Sequence, residues 1–378
     1  MRRRGADEGS VVVVDRQRAR GCLLGLAAGD ALGRPAENLA PEEIAGRWGR
    51  LTELARGPDG MAVGTDDTEY ALFTAFLLET YGSALSSGDV AREWRRNIIA
   101  PLDERPGPMR GAGFSELGTV QALRRGLEPP LSGRWQQHGW SDGLAMRAAP
   151  YGVFAAGEPA EAARLAGVDG AVSHGGEGVH GGRAVAAAVA LAMTGAPPAQ
   201  VIDAALAVIP ADSWTGRTVR ASVRIAGARR SAIPVIADER HTADLHEAVV
   251  VRHCPWADLA PEAVALAFAA YLLGAGEVEV SVTNAVNLGR DADTTAAIAG
   301  ALAGAGQGED GVPERWSARI GPARGTCLRA VAGRDVRDAA DALAAAARRE
   351  HTGPGRAPGA RREQPRDQGG WRACRRGI

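Results

Sequence analysis

Two acidic clusters, more than two hundred residues apart, hold the side chains best suited to chemistry in this chain. One is Thr65-Asp66-Asp67-Thr68. The other is Asp291-Ala292-Asp293-Thr294, inside Gly289-Arg290-Asp291-Ala292-Asp293-Thr294. Each packs carboxylates and hydroxyls into four residues at an expected helix start. Taken alone, each reads as a capped helix, because Thr and Asp satisfy N-terminal N–H groups and complement the backbone dipole. A cap needs only one carboxylate, though, and adjacent carboxylates repel. A cation would remove that repulsion. Several hard oxygens, with water completing an octahedron, is the donor set of Mg²⁺; softer metals would use His or Cys, which neither cluster contains. If the fold brings the clusters together, they form an oxygen-rich cage for divalent cations.

Helices must position them. An apolar stripe of Leu23, Leu24, Leu26 and Ala27 predicts a helix from Arg16 to about Leu32, with Gly25 and Gly29 permitting close packing. Pro35 argues against its continuation. A second helix is expected from about Asp66 through Leu78. Residues 100–150 are rich in Gly and Pro and read as mostly loop, with a helix near 114–126. Further helices are expected over His180 to Met193, after Pro261, and from Asp293 to Ala305, where Gly300 and Gly304 stand four apart. No convincing period-two strands and no internal repeat are visible, so the fold class is all-α.

The chain has 378 residues, enough for a sizeable core and one or two domains. Residues 1–15 read as a loose leader, 16–348 as one domain, and 349–378, rich in Arg, Gly and Pro, as a disordered tail. Net charge is −1, which gives no strong overall field for nucleic acid or membrane. There is no lysine, which excludes Schiff-base chemistry. Cys22, Cys254, Cys327 and Cys374 form no C-x-x-C pair and read as free thiols in a reducing compartment. No signal-peptide core or membrane-length apolar run is visible, so a cytoplasmic protein is expected.

Five segments together resemble the ADP-ribosylglycohydrolase family, the group of dinitrogenase-reductase-activating glycohydrolases and ADP-ribosyl-acceptor hydrolases. They are Gly21 to Gly33 with Glu37 beyond; Gly64-Thr65-Asp66-Asp67-Thr68; Ser141-Asp142-Gly143-Leu144-Ala145-Met146-Arg147; Ser173-His174; and Gly289 to Thr294 running into Ala297-Ile298-Ala299-Gly300-Ala301. The likeness spans roughly residues 16–345. It implies a compact all-α orthogonal bundle holding two Mg²⁺ ions, with Mn²⁺ as a substitute. Carried over position by position, it makes Thr65, Asp66, Asp67, Asp291, Asp293 and Thr294 the metal ligands and puts Glu37 at the mouth of the site. The Ser141, Asp142, Gly143, Leu144 and Ala145 loop would cradle a diphosphate with backbone N–H groups, and His174 would line the same phosphate and ribose channel.

Two positions depart from the family pattern. Asp142 puts a carboxylate where a diphosphate is expected, and Arg290 replaces a glycine. Arg290 beside the cage could bind substrate or neutralise Asp142.

The resemblance implies hydrolysis of a ribosyl bond through an oxocarbenium-like state, with ADP-ribosylated protein, nucleic acid or small molecule as substrate. Glu37 is the candidate general acid or base, since the aspartates would be ligands. A smaller ribosyl or nucleoside-type substrate, a non-catalytic crystallin-like binding role, and a bare phosphohydrolase are the alternatives. Glu177 is a possible specificity residue, and Trp135, Trp140 and Tyr151 flank the loop as possible stacking partners. A monomer is expected, because such a bundle encloses its own core.

Overall fold

The computed structural model describes residues 14–352 except 58, 105–107, 110–112, 228–232 and 252–256. The expected leader up to residue 13 and the tail from 353 onward lie outside the described residues, as do Cys254 and Cys374. The described residues are mostly helical, with only two isolated β-bridges, so the fold is all-α as expected. Among them, no helix is long and apolar enough to cross a membrane.

At the centre, helix Arg16–Gly33 lies along helix Ala292–Gln307. Small residues four apart make this possible, because i and i+4 share one helix face. A Cβ added to Gly25 would come 2.2 Å from the Gly300 carbonyl oxygen, and one at Gly29 would come 2.1 Å from that of Ala296. At Gly33 it would meet Ala292 O at 2.4 Å. Reciprocally, a Cβ on Gly304 would sit 2.0 Å from Gly21 O. The two backbones therefore touch. Each helical glycine costs about 1 kcal/mol relative to alanine, and only contact of this kind offsets that cost. The seam places Asp30 on the first helix beside Asp293 on the second.

Other helices wrap this pair. Val336–Thr352 packs on Arg16–Gly33 and on Asp66–Tyr81, while Val278–Asn287 covers Ala292–Gln307. The predicted helices all exist, at Arg16–Gly33, Asp66–Tyr81, Phe114–Arg124, Glu177–Ala192, Ala260–Leu273 and Ala292–Gln307. Pro35 acts as expected, within a short 3₁₀ turn over Arg34–Ala36. Helix Val278–Asn287 is one the sequence hides. Its Val-rich start favours strand, yet Val278, Val282, Ala285 and Val286 are buried, and Glu277 caps it by accepting from Val280 N at 2.9 Å. Tertiary burial overrides propensity there.

The domain edges run slightly past those expected. Val14 is buried, and Asp15 caps the first helix by accepting from Gln17 N at 2.8 Å. At the other end the last helix continues through Arg349 to Thr352, where a tail was expected. Glu350 anchors it, accepting from Ser83 N at 3.0 Å and from the Ser83 hydroxyl.

The seam makes a paired prediction. Gly29→Ala should cost at least about 3 kcal/mol in urea unfolding, because backbone rather than a side chain must move. Gly46→Ala, on an exposed helix face with no atom within 4 Å of the new Cβ, should be neutral or stabilise by about 0.5–1 kcal/mol. Equal effects from the two would contradict a backbone-contact seam.

Candidate active site

Helices Asp66–Tyr81 and Ala292–Gln307 begin on the same cleft. Its volume is about 450 Å³, and its wall carries Glu37, Asp66, Asp67, Glu116, Asp142, Asp258, Asp291 and Asp293, with Arg34 as the arginine among the lining residues. Thr65 and Thr294 line it as well. The two acidic clusters thus converge.

Asp30 shapes one side. It is fully buried, and its carboxylate accepts from Thr65 N at 2.9 Å, from Thr68 N at 3.1 Å and from the Thr68 hydroxyl. It caps the Asp66 helix from a neighbouring helix and fixes the turn that presents Asp66 and Asp67. Carboxylate oxygens of Asp30, Asp67 and Asp293 all lie within 4.8 Å of one another. Thr65 Oγ1 donates to Asp67 Oδ2 at 3.1 Å, but Asp67 Oδ1 and Asp293 Oδ1 are buried without a hydrogen-bond partner. Bare acceptor oxygens around one small space are what a hard cation requires. The residues present therefore fit divalent metal ions.

Electrostatics point the same way. Burial first, and then neighbouring negative charge, hold these carboxyls above their usual range. For Asp67 the neighbours are Asp293 and Asp30; for Asp66 they are Glu116 and Asp293; for Asp291 they are Asp142 and Asp293. Asp293 is pushed up to about 7, by burial and then by Glu37. Helix N-termini favour an anion by about 0.3–1 kcal/mol each, whereas burying an uncompensated charge costs several. The dipoles cannot balance the crowding. Glu37 sits on the exposed rim, where desolvation and then the charge of Asp30 raise its carboxyl.

The loop side is built differently. Arg147 is almost completely buried, with its guanidinium over the Tyr70 and Trp94 rings at 5.7 and 5.6 Å. Its Nε donates to Asp169 at 2.9 Å, Nη1 to Gly143 O at 2.9 Å, and Nη2 to Ser173 Oγ at 2.7 Å. Ser173 Oγ meets His174 Nδ1 at 2.7 Å, and His174 Nε2 meets Ser141 Oγ at 3.2 Å. Burial, then the Arg147 charge, holds His174 well below its ordinary pKa, so the imidazole is neutral. Arginine only donates. The consistent assignment has Ser173 donating to Nδ1 and Nε2–H donating to Ser141. Ser141 also accepts from Gly143 N at 3.4 Å, which leaves its own hydrogen for the cleft.

Several expected residues sit elsewhere. His174 lies behind Ser141, not on the cleft wall; the Leu144 and Ala145 side chains are fully buried, so what these two residues can offer a ligand is backbone N–H, as expected of the loop. Leu144 packs against Gly170 and Gly182. Arg290 adopts φ 64°, a region glycine favours, and its Nε donates to the buried Glu262 at 2.6 Å. Of the two roles expected for it, neither is what this ion pair provides: Arg290 ties the Asp291 turn to helix Ala260–Leu273. Glu177 caps helix Trp214–Gly227, accepting from Trp214 N and Thr215 N at 2.9 Å each, so its role there is structural. Tyr151 is fully buried and unavailable for stacking, whereas Trp135 and Trp140 are exposed. The aromatic that reaches the cleft is Phe114, stacked on His138 at 4.7 Å.

Sequence reasoning also missed Asp30, Glu116, Asp258 and Glu69 as parts of the site. Glu69 is buried and accepts from Thr326, Cys327 and Leu328 N at 2.9, 2.8 and 2.6 Å, pinning that loop to the wall. Cys327 on this loop and the buried Cys22 are both free thiols. Asp30 alone left a signal, as a carboxylate inside an otherwise apolar helix.

A family comparison agrees with this geometry over nearly the whole chain: the ADP-ribosylglycohydrolase model matches residues 13–353. The chain belongs to the ADP-ribosylglycohydrolase family. It is a glycosyl hydrolase of that type, from a family that acts on ADP-ribosylated substrates and is metal-dependent in general. An uncharacterized protein of Archaeoglobus fulgidus is 31% identical over 309 residues, 79% of this chain and 90% of that protein. A solved structure described as an ADP-ribosylglycohydrolase-related protein complex superposes with a TM-score of 0.59 at 27% identity, covering 88% of this chain and 98% of that one.

The raised carboxyls of this family member set a pH dependence. Groups whose folded pKa exceeds the unfolded value near 4 bind more protons when folded, so stability falls as pH rises from about 4 through the folded values. For Asp293 that window closes near pH 7. Metal-free protein should melt on the order of 5 °C lower at pH 8 than at pH 5.5. Added Mg²⁺ should raise the melting temperature more at pH 8 than at pH 5.5. A flat apo profile in differential scanning calorimetry would contradict this.

Proposed function

We propose that this chain is a magnesium-dependent hydrolase that cleaves the ribosyl bond between ADP-ribose and a modified acceptor. The observation that carries the reading is the convergence of Asp66, Asp67, Asp291 and Asp293 on one cleft, where Asp67 and Asp293 present bare buried oxygens. Thr65, Asp66, Asp67, Asp291, Asp293 and Thr294 are the residues to hold two Mg²⁺ ions, or Mn²⁺ in their place. Bound there, such ions supply anchorage for ribose hydroxyls and a lowered pKa for a bound water.

The chain's own residues do the rest. Asp30 does not need to bind metal directly to matter, because it orients the Thr65–Asp67 turn. Ser141 offers its hydroxyl hydrogen to a sugar or phosphate oxygen, with its direction set by the neutral His174. Arg34 supplies positive charge on the wall for a diphosphate. Phe114 presents an aromatic face at the cleft. Glu37, on the rim with a raised carboxyl, is placed to hold a proton and pass it to or from the leaving group or the attacking water.

The test is release of free ADP-ribose from proteins carrying arginine-linked or serine-linked ADP-ribose. EDTA should abolish release and Mg²⁺ should restore it. Asp293→Ala should lower the rate more than about 100-fold, while Glu37→Gln should lower kcat with metal binding retained. A metal-replete preparation silent on both N- and O-linked substrates would sink the proposal.

A further inference from the structure

Asp142 is hard to reconcile with a loop that simply cradles a diphosphate. Its residue exposure is 4%, and it lines the cleft. Its backbone is fixed on both sides: N donates to Asp258 O at 3.0 Å, O accepts from Met146 N at 3.0 Å, and Ser141 pairs with Leu259 in one of the two β-bridges. The side chain lines the same cleft as that of Asp291, and Asp142 Oδ2 is buried with no hydrogen-bond partner. It is the third such bare carboxylate oxygen in this cleft, after those of Asp67 and Asp293. It does not belong to the Asp30, Asp67 and Asp293 group of mutually close oxygens.

A bare carboxylate oxygen facing a substrate phosphate would repel it. The same oxygen with a cation on it would not. Mg²⁺ is commonly held by one or two carboxylates together with waters and substrate phosphate oxygens. Asp142, on the loop where the diphosphate is expected, and Asp291, at the start of helix Ala292–Gln307 on the same cleft, supply such a carboxylate pair.

We propose that Asp142 is a cation ligand, acting with Asp291 so that a diphosphate-bearing substrate is held at this loop through a divalent metal ion. The inference rests on the metal-dependent reading above. It makes Asp142 a specificity residue for substrates that carry a diphosphate on the ribose, and it accounts for a carboxylate at a place where one would otherwise exclude them.

The experiment is isothermal titration of the full chain with Mn²⁺, in the presence and absence of saturating ADP-ribose, with no turnover measured. With ADP-ribose present, Asp142→Asn should bind one Mn²⁺ fewer than the natural chain. Mn²⁺ should also tighten ADP-ribose binding at least tenfold less in the variant than in the natural chain. Ribose, which lacks phosphate, should show no such difference. Asp258→Asn removes a negative charge from the same wall and should leave the Mn²⁺ count unchanged. Asp142→Ser, checked by circular dichroism alongside Asp142→Asn, should reproduce its loss. An unchanged Mn²⁺ count in folded Asp142→Asn, as a proton shared between Asp142 and Asp291 would give, overturns the inference and leaves the hydrolase reading standing. An equal loss in Asp258→Asn also overturns it, assigning the effect to net charge. A natural chain that binds no Mn²⁺ overturns both.

Discussion

Backbone contact between helices Arg16–Gly33 and Ala292–Gln307 is the constraint on which the site depends. The glycine and alanine carbonyls at this seam stand where side chains would otherwise keep the helices apart. Because the helices cannot separate without losing the seam, Asp30 and Asp293 cannot relax away from each other. Asp30 then captures the start of helix Asp66–Tyr81 through three donors, which brings Asp66 and Asp67 to the same space. Packing in this way forces together charges that electrostatics alone would drive apart. The bare oxygens and raised carboxyls are the consequence, and Asp30, Asp67 and Asp293 form a group that could hold a metal ion.

The opposite wall solves its charge problem internally. Arg147 sits between Asp169, Glu116, Gly143 O and Ser173, so the buried carboxylates there already have a counterion. Its charge keeps His174 neutral, and the neutral ring orients Ser141. Behind one wall of the cleft a buried arginine supplies the counterion, whereas among the described residues the acidic wall has only Arg34 at its rim.

Much of this was legible in the sequence, for identifiable reasons. Carboxylates paired with threonine at two helix starts announce themselves locally, and glycines spaced by four announce a close helix contact. The residues that escaped act across long separations. Asp30 binds Thr65, 35 residues away, and the Arg290 partner Glu262 is 28 residues away. Glu116 sits in a stretch that reads as an ordinary amphipathic helix. Leu144 and Ala145 belong to a family segment expected to act through backbone N–H groups, and their side chains serve the core. Helix Val278–Asn287 was hidden because burial, not propensity, makes it.

The most direct test of the metal-cage account is a crystal grown with Mn²⁺ and measured for anomalous scattering. The account predicts manganese peaks in the cleft at coordination distance, about 2.0–2.4 Å, from oxygens of Asp67 and Asp293. A cleft without anomalous signal, its aspartates instead paired through shared protons, would contradict it.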